Sequence, residues 1–352
     1  MFDRPKIPVA VLGATGAVGQ RFVQLLADHP WFELVALLAS ERSAGQPYGK
    51  ACHWVIPGDP PPSVADLVVK PLVPGVPAGV VFSALPSSVA RDIEPEFARA
   101  GYAVCSNVSA FRDTEDVPLL IPDINADHIR LIDAQRQWRG WSGLLVTSPN
   151  CTISGVAVAL KPLHEAFGVR KVFMASMQAV SGAGYPGVPS LDIMGNVIPY
   201  IEGEEEKFER EARKLLGEYR DGSIHSAPFV LSAHANRVPV LEGHTISLSV
   251  GFEHSPEPAT AAELLAAYRG QAYEKGLPSA PIHPIVVRPE PDRPQPRRDL
   301  EAEGGMAVTV GRVRPCPLLD LRMTVVVHNT LRGAASGAVL NAELLVAAGY
   351  VS

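Results

Sequence analysis

The chain has 352 residues, of which 47% are hydrophobic and 19% are charged, and its formal net charge is −6 at pH 7. A chain of this length exceeds the size at which one hydrophobic core stops growing, so we expect two domains. The negative charge argues against a nucleic-acid or membrane-surface binder and leaves small molecules and copies of the same chain as partners. The N-terminus lacks a signal-peptide pattern and no long apolar run occurs, which predicts a cytoplasmic protein without a membrane span.

The first third of the sequence alternates between buried-strand and helix patterns. The apolar runs "IPVAVLG", "FELVALLA", "AGVVFSAL" and "YAVCSN" are separated by segments with helical spacing, two of which cover residues 16–29 and 88–100. Short continuous apolar runs that alternate with helices are typical of parallel strands with crossover helices. This pattern predicts a Rossmann-type, doubly wound α/β domain.

The pattern changes after residue 151. A helix is predicted at 152–166, then the strand "KVFMASMQAV" and an acidic helix at 202–217. Two pairs of neighbouring strands follow, "HANRVPV" with "HTISLSVGFE" and "MAVTVGRVR" with "LLDLRMTVVVHN", which indicate an α+β domain with a mixed, largely antiparallel sheet. The last segment has helical spacing and is expected to pack on the first domain. We therefore predict one domain from residues 1–150 and 334–352, and a second from residues 151–333.

A glycine-rich turn follows the first predicted strand. In "VAVLGATGAVGQ", Gly13, Gly16 and Gly19 stand between that strand and a helix, where glycines let a pyrophosphate approach the free amides of the helix start. A tight turn without a ligand is the alternative. After the second strand, the loop "SERS" offers hydroxyls and the Arg42 guanidinium, which suit a 2′-phosphate and indicate NADP. Glu41 in the same loop is the residue type that NAD sites use.

One of the four cysteines stands at a predicted helix start. Cys52, Cys105, Cys151 and Cys316 are too widely separated to indicate a disulfide framework or a zinc site, and buried structural cysteines are the expected reading for all but Cys151. In "SPNCTISG", free amides and the helix dipole are expected to lower the pKa of the Cys151 thiol. The alternative for Cys151 is again a small buried side chain.

A histidine and an arginine further along the chain complete the candidate chemistry. In "NRVPVLEGHT", His244 is the best candidate base and Arg237 precedes it by seven residues. A thiolate, a histidine and a nicotinamide together predict hydride transfer at the carbon of a cysteine thiohemiacetal. The other histidines of this region, at 225, 234 and 254, match no zinc spacing, so we predict no metal site.

Motifs along nearly the whole chain resemble one family. In order they are "GATGAVGQRF", "SNVSAFR", "SPNCT", "QAVSGAGYPGVP", "IPYIEGEEEK", "NRVPVLEGHT", "RPQPRRD", "GMAVTVGRVR" and "NTLRGAASGAVLNAELL". They are similar to the aspartate-semialdehyde dehydrogenases, and most similar to the archaeal and fungal branch of that family. The number of motifs and their shared order make the resemblance specific.

The resemblance implies a role for each candidate residue. Cys151 is implied as the nucleophile and His244 as the general acid/base, while Gln178 orients the bound acyl group. The substrate anchors that it implies are Arg237 for the α-carboxylate, Glu204 for the ammonium group, and Lys207 and Arg112 for the phosphate. For NADP it implies Gly13, Thr15, Gly16, Ala17, Val18, Gly19, Ser40, Arg42, Ser43, Pro86, Ser87, Ser181, Gly182 and Asn329. Without the resemblance, the acidic run "EGEEEKFER" would be interpreted as a solvated helix face.

The activity implied by the resemblance is the NADPH-dependent conversion of L-4-aspartyl phosphate to L-aspartate 4-semialdehyde with release of phosphate. This reaction serves lysine, threonine and methionine synthesis, and the family's second domain implies a homodimer or homotetramer. Two relatives remain as alternatives, malonyl-CoA reductase and N-acetyl-glutamyl-phosphate reductase. A catalytically silent NADP-binding regulator is the alternative from another class.

Overall fold

The computed structural model describes residues 5–352, which form two large β-sheets, one small hairpin and twelve α-helices, besides short 3₁₀ and π-helical turns. The strands are β1 (Ile7–Leu12), β2 (Phe32–Leu38), β3 (Val80–Ser83), β4 (Ala103–Ser106), β5 (Leu144–Thr147), β6 (Val169–Gln178), β7 (Glu218–Arg220), β8 (Ser223–His225), β9 (Val230–Arg237), β10 (His244–Phe252), β11 (Ile285–Arg288), β12 (Val308–Pro315) and β13 (Leu321–Val327). The helices are α1 (Ala17–Leu26), α2 (Tyr48–Ala51), α3 (Ser87–Arg99), α4 (Pro122–Asn125), α5 (Leu131–Arg139), α6 (Cys151–Phe167), α7 (Ser190–Ile193), α8 (Glu204–Leu215), α9 (Pro258–Ala267), α10 (Gln271–Glu274), α11 (Pro296–Asp299) and α12 (Ser336–Ala347). Within the described range, none of the helices has the length and apolar character needed to cross a membrane.

The first sheet is parallel and has helices on both faces, which confirms the doubly wound prediction. Its strand order is β2-β1-β3-β4-β5. Along β1, Val9 and Val11 pack with α1 and α12, whereas Ala10 and Leu12 pack with α3 on the other face. Because successive strand residues face opposite sides, a strand covered on both faces is apolar throughout. The C-terminal helix α12 therefore returns to the first sheet, as its spacing predicted.

The second sheet is mixed, with strand order β11-β12-β13-β10-β6-β9. β12 and β13 pair antiparallel, as predicted. The predicted pairing of β9 with β10 is wrong, because β6 lies between them, parallel to β9 and antiparallel to β10. Instead of forming a tight turn, the connection after β9 bonds to the backbone that follows β6: Val238 donates to the Gln178 carbonyl, and Val180 donates to the Val240 carbonyl.

This strand order brings distant residues to one edge of the second sheet. β6 and β9 run in the same direction and end side by side, with Gln178 opposite Arg237. β10 runs in the opposite direction and begins at that edge, with His244 next to the pair formed by Thr245 and Met177. The start of α6 reaches the same place from the first sheet, through the short connection after β5.

A buried carboxyl group lies between α3 and the first sheet. Glu94 has no exposed surface, and its Oε1 accepts a hydrogen bond from the Ser106 hydroxyl at 2.6 Å. Burial raises the pKa of Glu94 to about 7, although the hydrogen bond from Ser106 and the charge of Arg112 act in the opposite direction.

This raised pKa predicts a pH-dependent stability. The folded protein binds the Glu94 proton more tightly than the unfolded chain, so the free energy of unfolding is expected to fall as the pH rises from about 5 to about 8. Glu94→Gln removes this titration. Between these pH values the variant is expected to lose less stability than the parent, by on the order of 3 kcal/mol. Urea midpoints at both pH values measure the difference. The exposed Glu96→Gln on the same helix is the control, and equal pH slopes for Glu94→Gln and the parent would contradict the prediction.

Candidate active site

One thiol and one imidazole lie within hydrogen-bonding distance at the junction of the two sheets. Cys151 is the first residue of α6, and its Sγ lies 3.2 Å from Nε2 of His244. Asn150 caps the helix, because its Oδ1 accepts a hydrogen bond from the Thr152 amide at 2.8 Å. Cys151 is partly exposed, whereas His244 is fully buried. The imidazole is therefore fixed within the fold, and Cys151 keeps part of its surface accessible.

The predicted lowering of the thiol pKa is wrong in this structure. Burial raises the pKa of Cys151 to about 12, with a further increase from the Glu204 carboxylate. These effects outweigh the guanidinium groups of Arg112 and Arg237 and the amide of Thr152, which lower the pKa. Loss of hydration around the sulfur thus outweighs the favourable positive charges and the amide at this helix start.

Backbone groups of one residue hold both the imidazole and a guanidinium. The amide of Ala179 donates to Nδ1 of His244 at 3.0 Å, and the carbonyl of Ala179 accepts from Nη1 of Arg237 at 2.8 Å. A Cβ added at Gly182 would lie 2.7 Å from Nη1 of Arg237 and 3.1 Å from Cε1 of His244, so a side chain there would displace the guanidinium. Gln178, next to Ala179, is also buried. The predicted site residues Gln178, Gly182, Arg237 and His244 therefore lie together.

The first turn of α8 faces the nucleophile. Glu204 accepts a hydrogen bond from Nδ2 of Asn150 at 2.8 Å and pairs with Lys207 at 3.2 Å. The alternative of a solvated helix face is therefore wrong for Glu204, and it fits Glu206, which is exposed. The carboxylate of Glu204, which pairs with the Lys207 ammonium group, therefore lies beside Asn150, the residue that precedes Cys151.

Arg112 reaches the same region from the loop after β4. Its Nη1 pairs with Glu211 at 3.1 Å and its Nη2 donates to the Asn107 carbonyl at 2.9 Å. Its Nε is buried and has no hydrogen-bond partner among residues 5–352. Glu211 also accepts a hydrogen bond from the amide of Asn150 at 2.5 Å. The guanidinium is therefore held by one carboxylate and keeps one donor unused.

The glycine turn between β1 and α1 has almost no room for side chains. Gly13 has φ +79°, and a Cβ added there would lie 2.7 Å from the Ala84 carbonyl oxygen. A Cβ at Gly19 would lie 2.2 Å from the Gly13 carbonyl oxygen, so glycine lets α1 approach the strand. Gly16 is the N-cap of α1, and no side chain caps the helix. The free amides of this helix start fit an anionic pyrophosphate.

The other cofactor candidates of the first domain lie at the same edge of the sheet. The loop with Ser40, Arg42 and Ser43 follows β2, and Pro86 and Ser87 begin α3 just after β3. Since β2, β1 and β3 are parallel neighbours, their carboxyl ends share one edge. Thr15, Ala17 and Val18 belong to the glycine turn at this edge and to the first turn of α1.

Asn329 links the cofactor candidates to the catalytic ones. Its Nδ2 donates to the Ser181 hydroxyl at 2.8 Å, and its Oδ1 accepts from the amide of Gly243 at 2.8 Å. Ser181 stands next to Gly182, and Gly243 precedes His244. The cofactor candidates Asn329, Ser181 and Gly182 therefore lie beside the catalytic candidate His244.

Comparisons with known proteins agree over nearly the full length. Residues 8–132 match the family model of the semialdehyde dehydrogenase NAD-binding domain, and residues 160–332 match that of the semialdehyde dehydrogenase dimerisation domain. An aspartate-semialdehyde dehydrogenase of Archaeoglobus fulgidus is 50% identical, with coverage of 96% of this chain and 97% of that protein. One of Cryptococcus neoformans is 45% identical, with full coverage of both chains. The crystal structure of aspartate-semialdehyde dehydrogenase with NADP from Candida albicans superposes with a TM-score of 0.91, at 40% identity, and covers 98% of this chain and 99% of that one.

The chain belongs to the aspartate-semialdehyde dehydrogenase family. This finding confirms the resemblance to the archaeal and fungal members, and the observed fold agrees with it.

Three features of the site were not predicted from the sequence. Glu211 lies seven residues after Glu204, two helical turns along the same face of α8, so helical spacing could have indicated it. Ala179 binds His244 and Arg237 through its backbone amide and carbonyl, which every residue type has, so its identity did not indicate this role. At Gly333, an added Cβ would lie 2.7 Å from Cβ of Cys151, a contact that only the folded chain reveals.

Proposed function

We propose that the protein is an NADPH-dependent aspartate-semialdehyde dehydrogenase that converts L-4-aspartyl phosphate to L-aspartate 4-semialdehyde and phosphate, a step towards lysine, threonine and methionine. The observation that carries the proposal is the pair of Cys151 and His244 with a guanidinium on one side, Arg237, and a carboxylate on the other, Glu204. An amino-acid substrate needs both of these charges. The names of the relatives support the same activity.

Each charged part of aspartyl phosphate has a candidate partner. Arg237 offers a planar guanidinium to the α-carboxylate, a geometry that favours two parallel hydrogen bonds. Glu204 faces the α-ammonium group, and it is already within reach of the nucleophile's neighbour Asn150. Lys207 and Arg112 take the phosphate, to which both offer a positive charge near Glu204 and Glu211.

The chemistry proceeds through a thioester on Cys151. The sulfur attacks the acyl carbon, the bond to phosphate breaks, and Gln178 orients the acyl oxygen. The amide of Cys151, which lies beside the amides capped by Asn150, stabilises the transient oxyanion, and such a donor contributes about 3 to 4 kcal/mol. NADPH, when bound, supplies the hydride that reduces the acyl carbon. His244 is the only side chain hydrogen-bonded to the sulfur among the described residues.

NADP is held by the glycine turn, by Pro86 and Ser87, and by the Ser181 loop with Asn329. The loop after β2 distinguishes NADP from NAD through Arg42, which is exposed and free to meet a 2′-phosphate. The family member from Candida albicans was crystallised with NADP, which supports this choice.

Arg42→Ala is expected to raise the KM for NADPH by about 10- to 100-fold, because it removes a charge-assisted hydrogen bond to the 2′-phosphate. The KM for NADH should stay unchanged, since NADH lacks that phosphate. Steady-state kinetics with both cofactors measure the ratio, with Lys50→Ala, an exposed nearby cation, as the control. Equal effects on both cofactors would contradict the assignment.

One assay separates the proposed activity from its alternatives. Purified protein receives aspartate semialdehyde, phosphate and NADP⁺, and NADPH absorbance is followed, while malonyl-CoA and NADPH are supplied in parallel. NADPH formation in the first reaction supports the proposal. Turnover with malonyl-CoA alone would replace it with the acyl-CoA reductase, and no turnover in either would favour a silent NADP-binding protein.

The expected assembly is a homodimer or a homotetramer. α6, α8 and α9 cover one face of the second sheet, whereas the other face leaves Phe173 and Val230 exposed. The matched dimerisation model spans this sheet. Light scattering gives the assembly mass.

Cytoplasmic location and domain boundaries at residues 150 and 333 stay predictions.

A further inference from the structure

The carboxylate of Glu211 on α8 joins two parts of the candidate site. Its Oε1 accepts a hydrogen bond from Nη1 of Arg112 at 3.1 Å, and its Oε2 accepts one from the Asn150 amide at 2.5 Å. Both partners donate, which fits the ionised form of the carboxylate. Glu211 is buried; burial raises the pKa of its carboxyl group, and the Arg112 charge and the Asn150 amide oppose that rise. One side chain therefore connects the loop after β4 to the residue before Cys151.

Both ends of this connection carry groups that the proposed reaction needs. The Arg112 side chain is 10% exposed, so part of it stays open to a ligand. Its positive charge lowers the pKa of the Cys151 thiol, which shows that the guanidinium and the sulfur are close enough to interact. Asn150 caps the helix that begins with Cys151. Glu211 therefore fixes the proposed phosphate partner relative to the start of α6.

The two ends depend on Glu211 to different degrees. Asn150 also caps α6 through its side-chain oxygen and donates from Nδ2 to Glu204 at 2.8 Å. The Arg112 guanidinium has one other hydrogen bond among residues 5–352, from Nη2 to the Asn107 carbonyl at 2.9 Å. Loss of the Glu211 carboxylate is therefore expected to release the guanidinium and to leave the helix start in place.

The backbone that carries Arg112 is held separately. Nζ of Lys214, one turn further along α8, donates to the carbonyls of Arg112, Thr114 and Val117 at 2.8, 2.8 and 2.9 Å. These bonds fix the loop but do not touch the guanidinium. A change at Glu211 is therefore expected to act on the direction of one side chain and to leave the path of the loop unchanged.

We propose that Glu211 is a positioning residue for phosphate transfer, which directs the Arg112 guanidinium towards the phosphate group beside the acyl carbon on Cys151. This inference rests on the proposed function and adds a residue to which the family resemblance gave no role. In the oxidative direction a phosphate oxygen attacks the thioester carbon and the C–S bond breaks, so that HPO₄²⁻ and the thioester become the acyl phosphate and the Cys151 thiol. A group misplaced by about 1 Å can slow such a step by about 100-fold.

A buried ion pair without a role in the reaction is the alternative. Loss of hydration offsets most of the attraction in such a pair, so a net gain in stability does not explain it well. The second bond of Glu211, to the amide beside the nucleophile, is also not needed to pair with Arg112. The two accounts differ in the kinetic constants that they affect.

Glu211→Gln is expected to raise the KM for phosphate by about 10- to 100-fold, with the KM values for aspartate semialdehyde and NADP⁺ within about twofold of the parent. Glutamine has nearly the same shape, but its NH₂ group would face one of the two donors. Steady-state kinetics in the oxidative direction measure the three constants. Rapid mixing without phosphate isolates hydride transfer, whose rate should stay within about threefold of the parent.

The matched control is Glu209→Gln, which changes an exposed carboxylate on the same helix and should leave all three KM values unchanged. Equal increases in the three KM values of Glu211→Gln would indicate a structural role alone and overturn the inference. An unchanged KM for phosphate would overturn it as well.

Glu211→Asp keeps the negative charge beside Arg112, so it should fold even if Glu211→Gln does not. Its side chain is shorter by one methylene and cannot reach both donors at once. We expect the KM for phosphate to rise by about tenfold or more in this variant too. A KM for phosphate equal to that of the parent would show that charge alone is needed and would contradict a positioning role.

Phosphate binding can be measured without turnover. In protein saturated with NADP⁺, inorganic phosphate is expected to slow the alkylation of Cys151 by the neutral reagent iodoacetamide, which mass spectrometry of the Cys151 peptide follows. Glu211→Gln or Glu211→Asp should need at least about tenfold more phosphate for half protection. No protection in the parent, or equal protection in parent and variants, would overturn the inference. Failure of the proposed function is seen separately, as a parent enzyme that does not oxidise aspartate semialdehyde.

Discussion

Cys151→Ala is expected to abolish turnover, with a loss on the order of 10⁵-fold or more, while NADPH still binds. The reason is that the thioester needs a covalent bond to Sγ, and no other thiol contacts His244: Cys52 follows α2, Cys105 is buried in the first sheet and Cys316 follows β12. The alanine side chain fits the space, so the fold should persist. Stopped-flow reduction and fluorescence titration with NADPH measure the two properties.

The control for this substitution is Cys316→Ala, which removes a thiol outside the site and should leave kcat within about twofold of the parent, as for most changes away from functional groups. If Cys151 were only a small buried side chain with no chemical role, Cys151→Ala would have the same mild effect. Turnover at the parent rate would therefore remove Cys151 from the reaction.

Asp123→Ala is expected to lower the free energy of unfolding by about 3 to 5 kcal/mol, because it leaves a buried guanidinium without its counter-ion. Oδ2 of Asp123 lies 2.6 Å from Nη1 of Arg332, and the two side chains are 0% and 2% exposed. Arg332 belongs to the π-helical segment Leu331–Ala335, whose Gly333 packs against Cys151. The ion pair therefore anchors the segment behind the nucleophile to α4. Urea denaturation at fixed protein concentration measures the loss.

Two further variants show that burial of the charge causes the effect. Asp113→Ala breaks an ion pair with Arg210 in which both side chains are 54% exposed, and it should cost less than about 1 kcal/mol. Asp123→Leu combined with Arg332→Met replaces both charges and should recover most of the stability. Equal losses for Asp123→Ala and Asp113→Ala would contradict this account.

Sequence patterns predicted the local features of the site well. The glycine turn and its helix depend on residues within one short segment, so spacing alone located them. The start of α6 at Cys151 is likewise local, because Asn150 is a preferred N-cap residue. The thiol pKa depends instead on the burial of Cys151 and on Glu204, more than fifty residues away, and for this reason the helix start alone gave the wrong direction.

Contacts between residues that are distant in the sequence were harder to predict. His244 and Arg237 lie close together in the sequence, which suggested a hairpin, yet β6 separates their strands. Pairing of strands that are distant in sequence depends on the packing of the whole sheet, and neighbouring runs do not reveal it. The same holds for the backbone bonds of Ala179 and for the ion pair of Arg112 with Glu211.

The return of α12 to the first sheet limits how this protein can be divided. Val9 and Val11 share a core with Val339 and Leu340, so a fragment that ends near residue 150 would expose an apolar surface of its parallel sheet to water. A soluble nucleotide-binding fragment therefore requires the last helix, either co-expressed or joined by a designed linker. The same interleaving means that the ribosome must complete the chain before the first sheet can close its core, although its five strands are made long before.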